Sequence, residues 1–386
     1  TGDGRRLDAT LGGDLTALAP PVAHAFLMGR TAVETTVSFS RDFAPRTAKA
    51  EVRTDTLHVT GNAELGDETL TAKARVDLSA GNGALIALEL PDRRVTIGDS
   101  SLEANVSGPR DSLDWSLALT SGSTETTEVR LADLDMLASG SGLDLATVGK
   151  ARLPVRLKLA ARRITPLIEG AQMFDGPLSL TADARLDPAA AKARIESLAI
   201  SLAPLTATLS GEVGADALDT RIGVEIADLS AFDPRVTGGL KIDATASGAP
   251  ASPAIQASVT AERLEMAGKP VTDVALDIDA TTTPGDLSAD LELSASVDGN
   301  PLAGTATLAP DGPGLAGRTL RISVGDNRIS GDLGIADLAR AAETLSADLT
   351  ISAPDLSQLS ALALTELAGS LNGKATIRPA PDGLTA

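Results

Sequence analysis

The stretch Leu287-Ser288-Ala289-Asp290-Leu291-Glu292-Leu293-Ser294-Ala295-Ser296-Val297-Asp298 decides the fold. Its apolar residues fall on odd numbers and its polar residues on even ones, a period of two that a strand sorts onto opposite faces and a helix would scatter. The same alternation appears at Leu70, Ala72, Ala74, Val76 and Leu78, at Val155, Leu157 and Leu159, and at Leu178, Leu180, Ala182, Ala184 and Leu186. It returns at Leu205, Ala207, Leu209 and Val213, at Leu240, Ile242 and Ala244, and at Leu345, Ala347, Leu349 and Ile351. Between the runs stand Gly66-Asp67, Gly81-Asn82-Gly83, Asp298-Gly299-Asn300 and Gly325-Asp326-Asn327, the short turn chemistry that joins antiparallel neighbours. Runs and turns together predict roughly 20 to 24 strands, and one continuous sheet of them on the order of 100 Å long at about 4.8 Å per strand.

A second repeat interrupts the strands. Asp14-Leu15-Thr16, Asp228-Leu229-Ser230 and Asp355-Leu356-Ser357 each place a helix-capping or turn-forming Asp before a short segment that leads to a Gly. Short helical interruptions are therefore expected near 14–29, 133–150, 165–173, 335–345 and 355–368. No linker of domain-boundary length divides the chain, so residues 1–386 read as one continuous repetitive segment. Thr1 is not Met and no signal pattern follows it, so the sequence reads as part of a longer or processed chain. Leu15 to Gly29 is too short, and too broken by Pro20 and Pro21, to span a bilayer.

Composition narrows the chemistry. The 386 residues carry 33 Lys and Arg against 52 Asp and Glu, a net charge of −19 that excludes a basic nucleic-acid binder. Five Phe, one Trp and no Tyr leave the interior to small aliphatic side chains. Without Cys there is no disulfide, thiolate or Cys-ligated zinc, and only His24 and His58 remain for imidazole chemistry. His58 alternates onto a polar face and His24 sits in an apolar stretch, as solvated and packed histidines do. Gly312-Pro313-Gly314-Leu315-Ala316-Gly317 spells a dinucleotide fingerprint, but the strand-like Arg318-Thr319-Leu320-Arg321-Ile322 follows it where a helix would be needed. Asp133 with Asp135 and Asp277 with Asp279 lack the loop spacing of a calcium site. Lys150, Arg152, Arg156, Lys158, Arg162 and Arg163 form the one local basic cluster, read as a solvated face with headgroup contact as the alternative. No catalytic, cofactor or metal site is expected, and the chain reads as non-enzymatic.

An antiparallel sheet with one apolar face must cover that face, either by packing it against a second layer, as in a row of β-sandwiches, or by curling it around a ligand. The scarcity of rings disfavours sandwich cores, which tolerate little void. The expected fold is all-β: a long curled antiparallel sheet forming a hydrophobic groove, β-taco-like, with a few short helices. Its lining is expected from Leu70, Val76, Val155, Leu157, Leu159, Leu178, Leu180, Leu205, Leu209, Leu240, Ile242, Leu291, Leu293, Val297, Leu349 and Ile351. Such a groove suits phospholipid acyl chains, since about 15 methylenes at about 0.8 kcal/mol each need on the order of 12 kcal/mol of shelter outside a bilayer.

The segment from Leu240 to Gly248, followed by Ala249-Pro250-Ala251-Ser252-Pro253 and the strand Ala254 to Ala261, resembles the strand, Gly, small-residue/Pro and strand cassette of the TamB family, the translocation and assembly module subunits of the AsmA-like bridge-like group. Asn327-Arg328-Ile329-Ser330-Gly331-Asp332-Leu333 and Ala353-Pro354-Asp355-Leu356-Ser357 resemble other recurrent pieces of that family. The resemblance implies a hydrophobic-lined groove in the Gram-negative periplasm, anchored in the inner membrane by a segment outside this sequence. It also implies an outer-membrane barrel partner of the TamA type, phospholipid transport between the membranes and support of outer-membrane protein assembly. Another AsmA-like lipid-transfer protein, a chaperone-like scaffold whose sheet edges pair with nascent strands, and a structural repeat protein or adhesin are the other readings open at this point.

Overall fold

The computed structural model describes residues 5–14, 29–89, 94–146, 152–168, 170–283, 286–311, 314–336, 344–380 and 383–385. The chain forms two compact units, Thr1–Ala203 and Pro204–Ala386. In both, strands meet their neighbours antiparallel and in chain order, as hairpin chemistry dictates. Unit 1 runs from Arg5–Gly13 to Lys192–Leu202, with one side hairpin, Ile86–Glu89 and Arg94–Ile97, inserted between Thr69–Leu78 and Ser100–Pro109. Unit 2 runs from Leu205–Gly214 to Gly383–Thr385, and the two-residue strand Val236–Thr237 pairs with Ser252–Met266. In neither unit do the first and last described strands pair with each other, so the sheet is open and no barrel closes. The fold is the all-β, antiparallel class that the alternation demands. The 26 strands among the described residues exceed the count expected from long runs, because strands of two to four residues carry no legible periodicity.

Helical structure among the described residues is confined to short turns. The expected interruption at 355–368 takes the form of a 3-10 turn, Leu356–Leu359, running into one α-turn, Ser360–Ala363, which ends where Leu364 turns left-handed at φ 52°. Asp355 caps it by accepting from the Ser357 N–H at 3.0 Å, and Asp228 does the same for Ser230 at 2.9 Å ahead of the 3-10 turn Leu229–Ala231. Among the described residues of the interruption expected at 133–150 no helix forms: residues 133–143 belong to the strand Val129–Leu143. There the apolar set shifts from Val129 and Leu131 to Leu134, Met136 and Ala138, and the slip at Asp133, whose φ is 50°, hides a strand behind helix-like spacing. At 165–173 the strand Leu153–Pro166 continues into the interval, and the 3-10 turn Gln172–Phe174 begins at its far end. In 335–345 the strands Asn327–Ile335 and Leu345–Ala353 occupy the two ends. Residues 15–28, 147–151 and 337–343 lie outside the described set.

The covered core of unit 2 gathers at one end of its strands. Ala261, Leu264, Val271, Val297, Leu302 and Val324 are buried there together with Ala361 of the α-turn, and Leu229 and Leu359 pack against them. The loops carrying the two capping Asp residues both emerge at that strand end, which places helical turns over the apolar side.

Candidate functional site

Register converts alternation into a surface. Because opposed residues share a face, the pairings of unit 1 place Leu11, Val33, Val52, Val59, Val76, Leu102, Leu119, Met136, Leu159, Leu180 and Ile200 in one file across successive strands. About ten spacings of roughly 4.8 Å make that file about 48 Å long. Unit 2 carries its own: Ala207, Val224, Ile242, Val259, Leu276, Leu293, Gly304, Ile322, Ile329, Ile351 and Gly373. No charged or polar side chain interrupts either file.

The expected lining residues distribute over these files and the rows beside them. Val76, Leu159 and Leu180 are in the first file, with Val155, Leu157, Leu178 and Leu70 in parallel rows on the same face. Ile242, Leu293 and Ile351 are in the second, with Leu209, Leu291 and Leu349 in the row on one side and Leu205 and Leu240 in the row on the other. Most are half-buried. Val297 differs: it is fully buried in the covered core, where Leu240 and Leu293 also pack, because the turn Ser360–Ala363 closes over that strand end. Sequence reasoning passed over Val33, Val52, Leu102 and Leu119, although Val33-Glu34-Thr35-Thr36-Val37 carries a readable alternation.

Beside the first file, Ala48, Ala50, Gly61, Ala63, Ala72 and Ala74 floor an apolar hollow of about 340 Å³ on the same face. Side chains this small leave room above the backbone, so the aromatic-poor composition appears in space as an unfilled strip. A larger hollow, about 890 Å³, lies on the polar face of unit 2, and its lining includes Asp243, Asp277, Asp279, Asp290 and Glu292 together with Arg221 and Arg321.

The opposite face is laced with ion pairs between neighbouring positions. Lys73 meets Glu103 at 2.8 Å, Arg75 meets Asp77 at 2.9 Å, and Arg130 meets Glu125 at 2.6 Å. Each cation holds its carboxylate below the usual range chiefly by hydrogen bonding it; burial opposes that shift, and the charge attraction adds a contribution smaller than the burial effect. The basic cluster is largely absorbed in the same way: Arg152 bonds Asp187 at 2.7 Å, Arg156 bonds Asp183 at 3.3 Å, Arg163 bonds Asp175 at 2.6 Å, and Arg162 pairs with Asp133. Lys150 lies outside the described residues. His58 Nε2 sits 2.8 Å from Glu51 Oε1 in a cross-strand pair beside Arg53, an arrangement that orients no nucleophile. The glycine-rich stretch leads into the strand Gly314–Val324, so no helix N-terminus stands where a pyrophosphate would bind. Among the described residues no group of three or more His, Asp or Glu is placed to hold a metal, and no helix is long and apolar enough to cross a membrane.

An open antiparallel sheet with an uninterrupted apolar file on one face and a salt-bridged polar face on the other defines a class: an all-β scaffold whose distinguishing surface is a strip and not a pocket. Residues 167–297 match the family model for the TamB N-terminal domain. A search of curated proteins finds no match.

Proposed function

We propose that this chain is a non-enzymatic part of a periplasmic bridge between inner and outer membranes, which conducts phospholipid by letting acyl tails slide along its apolar files. Headgroups stay in water at the open side, and the scaffold supports outer-membrane protein assembly together with a barrel partner of the TamA type. The continuity of the files carries the reading. A tail on such a strip exchanges one methyl-lined position for the next at nearly constant free energy, so it moves without meeting a specific pocket or a polar barrier. The TamB-family match over 167–297 supports the periplasmic setting and the partner class. Native mass spectrometry of the chain purified from membranes tests the proposal: co-purifying phospholipid, stripped by detergent and regained from vesicles, is the expected result, and a lipid-free protein that takes up none refutes it.

A further inference from the structure

Asn327 is a polar residue with about 1% of its surface exposed, at the strand end where the core of unit 2 is covered. Its Nδ2 donates to the Asp355 carbonyl at 2.8 Å and to Gln358 Oε1 at 3.0 Å, with the Val324 carbonyl also within 3.2 Å, and its Oδ1 accepts from the Asp355 N–H at 3.1 Å. One buried amide thus holds both the first residue of the 355–363 segment and a side chain one turn further on. The neighbouring turn supports the fastening. Gly325 has φ +56°, and a Cβ there would fall 2.3 Å from Gln358 Oε1, so the glutamine occupies space that a side chain at 325 would take. Asn300, at the same place in the adjacent hairpin, bonds locally to the Asp298 carbonyl at 3.4 Å. The fastened segment buries Ser360 and Ala361 against the cluster that contains Val297, Leu302 and Val324.

We propose that the Asn327-pinned segment is a fixed wall: it closes one strand end of the apolar face in unit 2 and confines an acyl tail to the second file and the row beside it, away from that end, where Ile278 opposes Leu291 and Leu349 stands further along. The inference rests on the acyl-strip reading above and assigns Asn327 as a positioning residue, acting through the segment it holds. A tail that follows the strip is kept from the strand-end core, whose side chains the protein itself already shelters. Replacing the amide takes their Asn327 partner from the Asp355 N–H and from Gln358 Oε1, while Gln358 Nε2 keeps its 3.4 Å bond to the Asp355 carboxylate within the segment; the loss favours opening of the segment.

The test uses the full chain with vesicles of phosphatidylethanolamine and phosphatidylglycerol that contain a phospholipid bearing a diazirine on its tail. After irradiation, adducts are mapped by peptide mass spectrometry on wild type, Asn327→Ala and the milder Gln358→Ala, alongside amide hydrogen exchange. Wild type is expected to label peptides containing Ile278, Leu291 or Leu349 and to spare Val297–Leu302. In Asn327→Ala, exchange in 356–363 speeds up about tenfold or more and labelling at Val297–Leu302 rises by a similar factor; Gln358→Ala moves both in the same direction by less. Wild-type labelling at Val297–Leu302 equal to that at Leu291 overturns the wall, as does unchanged exchange in both variants. Faster exchange with an unchanged labelling map overturns it too. If no protein is labelled while exchange still accelerates, the acyl-strip reading fails and the pin stands.

Discussion

A carboxylate placed in the first apolar file measures what that file does. Leu180 stands between Leu159 and Ile200, and Leu180→Asp puts one charge at the point every tail following that file must pass. The cost to the fold is small, since a half-buried leucine contributes at most about half of the 1.5–3 kcal/mol of full burial, or roughly 1 kcal/mol. For a tail, stripping water from an aspartate is worse than neutralising it. Protonating a group of pKa about 3.9 at pH 7 costs about three units of 1.36 kcal/mol each, close to 4 kcal/mol. That sets a ceiling on the barrier, and on the slowing, of about a thousandfold. The barrier has a signature. It shrinks about tenfold in rate for each pH unit lost and vanishes near pH 4, whereas Leu180→Asn slows transfer by an amount independent of pH. Ser179→Asp adds the same charge next door, but Ser179 pairs with Ala160 and Ser201 on the opposite face and should leave transfer unchanged. Fluorescent phospholipid transfer between vesicles, normalised to wild type at each pH, reads all four proteins. Equal rates for Leu180→Asp and Ser179→Asp at pH 7 would refute the claim that the file is the path.

Two other outcomes follow from the same fold. Leu302→Ala removes a side chain from the covered core and should cost about 2–5 kcal/mol in urea unfolding, while Leu180→Ala costs about 1 kcal/mol; equal losses would mean that both positions are equally covered. Acid should destabilise the protein only below about pH 4.5. The Arg235 side chain holds Asp233 down to about 2 from 3.8, and Glu103, Glu125 and Asp175 are also lowered by Lys73, Arg130 and Arg163. A depressed folded-state pKa gives stability that is complete above the unfolded value and is lost as pH falls through the folded one. Melting temperature should therefore stay level from pH 7 to 5 and fall from about 4.5 toward 2; a decline beginning above pH 5 would contradict this assignment.

Much of this architecture is legible in the residues, and what is not has physical causes. Leu287 to Val297 names its strand, its apolar face and, with Asp298-Gly299, its hairpin. The Asp-Leu-Ser segments at 228 and 355 announce capped turns because a short acceptor side chain ahead of orphan N–H groups has few other uses. Register is a different matter. Alternation says which residues share a face within one strand, but only pairing says that Val52 stands beside Val59 and Met136 beside Leu159. The sealed position of Val297 depends on Ala361, more than sixty residues away in sequence, and alternation around Val297 gives no sign of it. Nor does Gly325-Asp326-Asn327 betray, as a turn signal, that its asparagine faces inward to fasten a distant segment.

The files survive interruptions that should break them. Since a one-residue slip sends every later side chain to the other face, each change of phase along a strand must be matched by its neighbours. In unit 1 the apolar set slips at Asp133, φ 50°, and the facing strand slips between Ala161 and Ile164, so that Leu131 still meets Ile164 and Leu134 still meets Ala161. The next pairing absorbs the extra residue as a β-bulge between Ala161 and Ile164. Unit 2 repeats the device. Asp273, φ 53°, marks the slip from Val271 to Val274, its partner slips from Ala261 to Leu264, and the bulge falls in the pairing with Asp286–Val297. In both units an aspartate, which tolerates left-handed backbone better than most residues, sits at the slip, and a bulge on the far side bends the strand and raises its twist. A sheet that buried its face against a second layer could end its rows where the layers part. Here phase is restored strand after strand, so Met136, Leu159 and Leu180 in one unit and Leu276, Leu293 and Ile322 in the other remain in unbroken files, which is the property that sliding tails require.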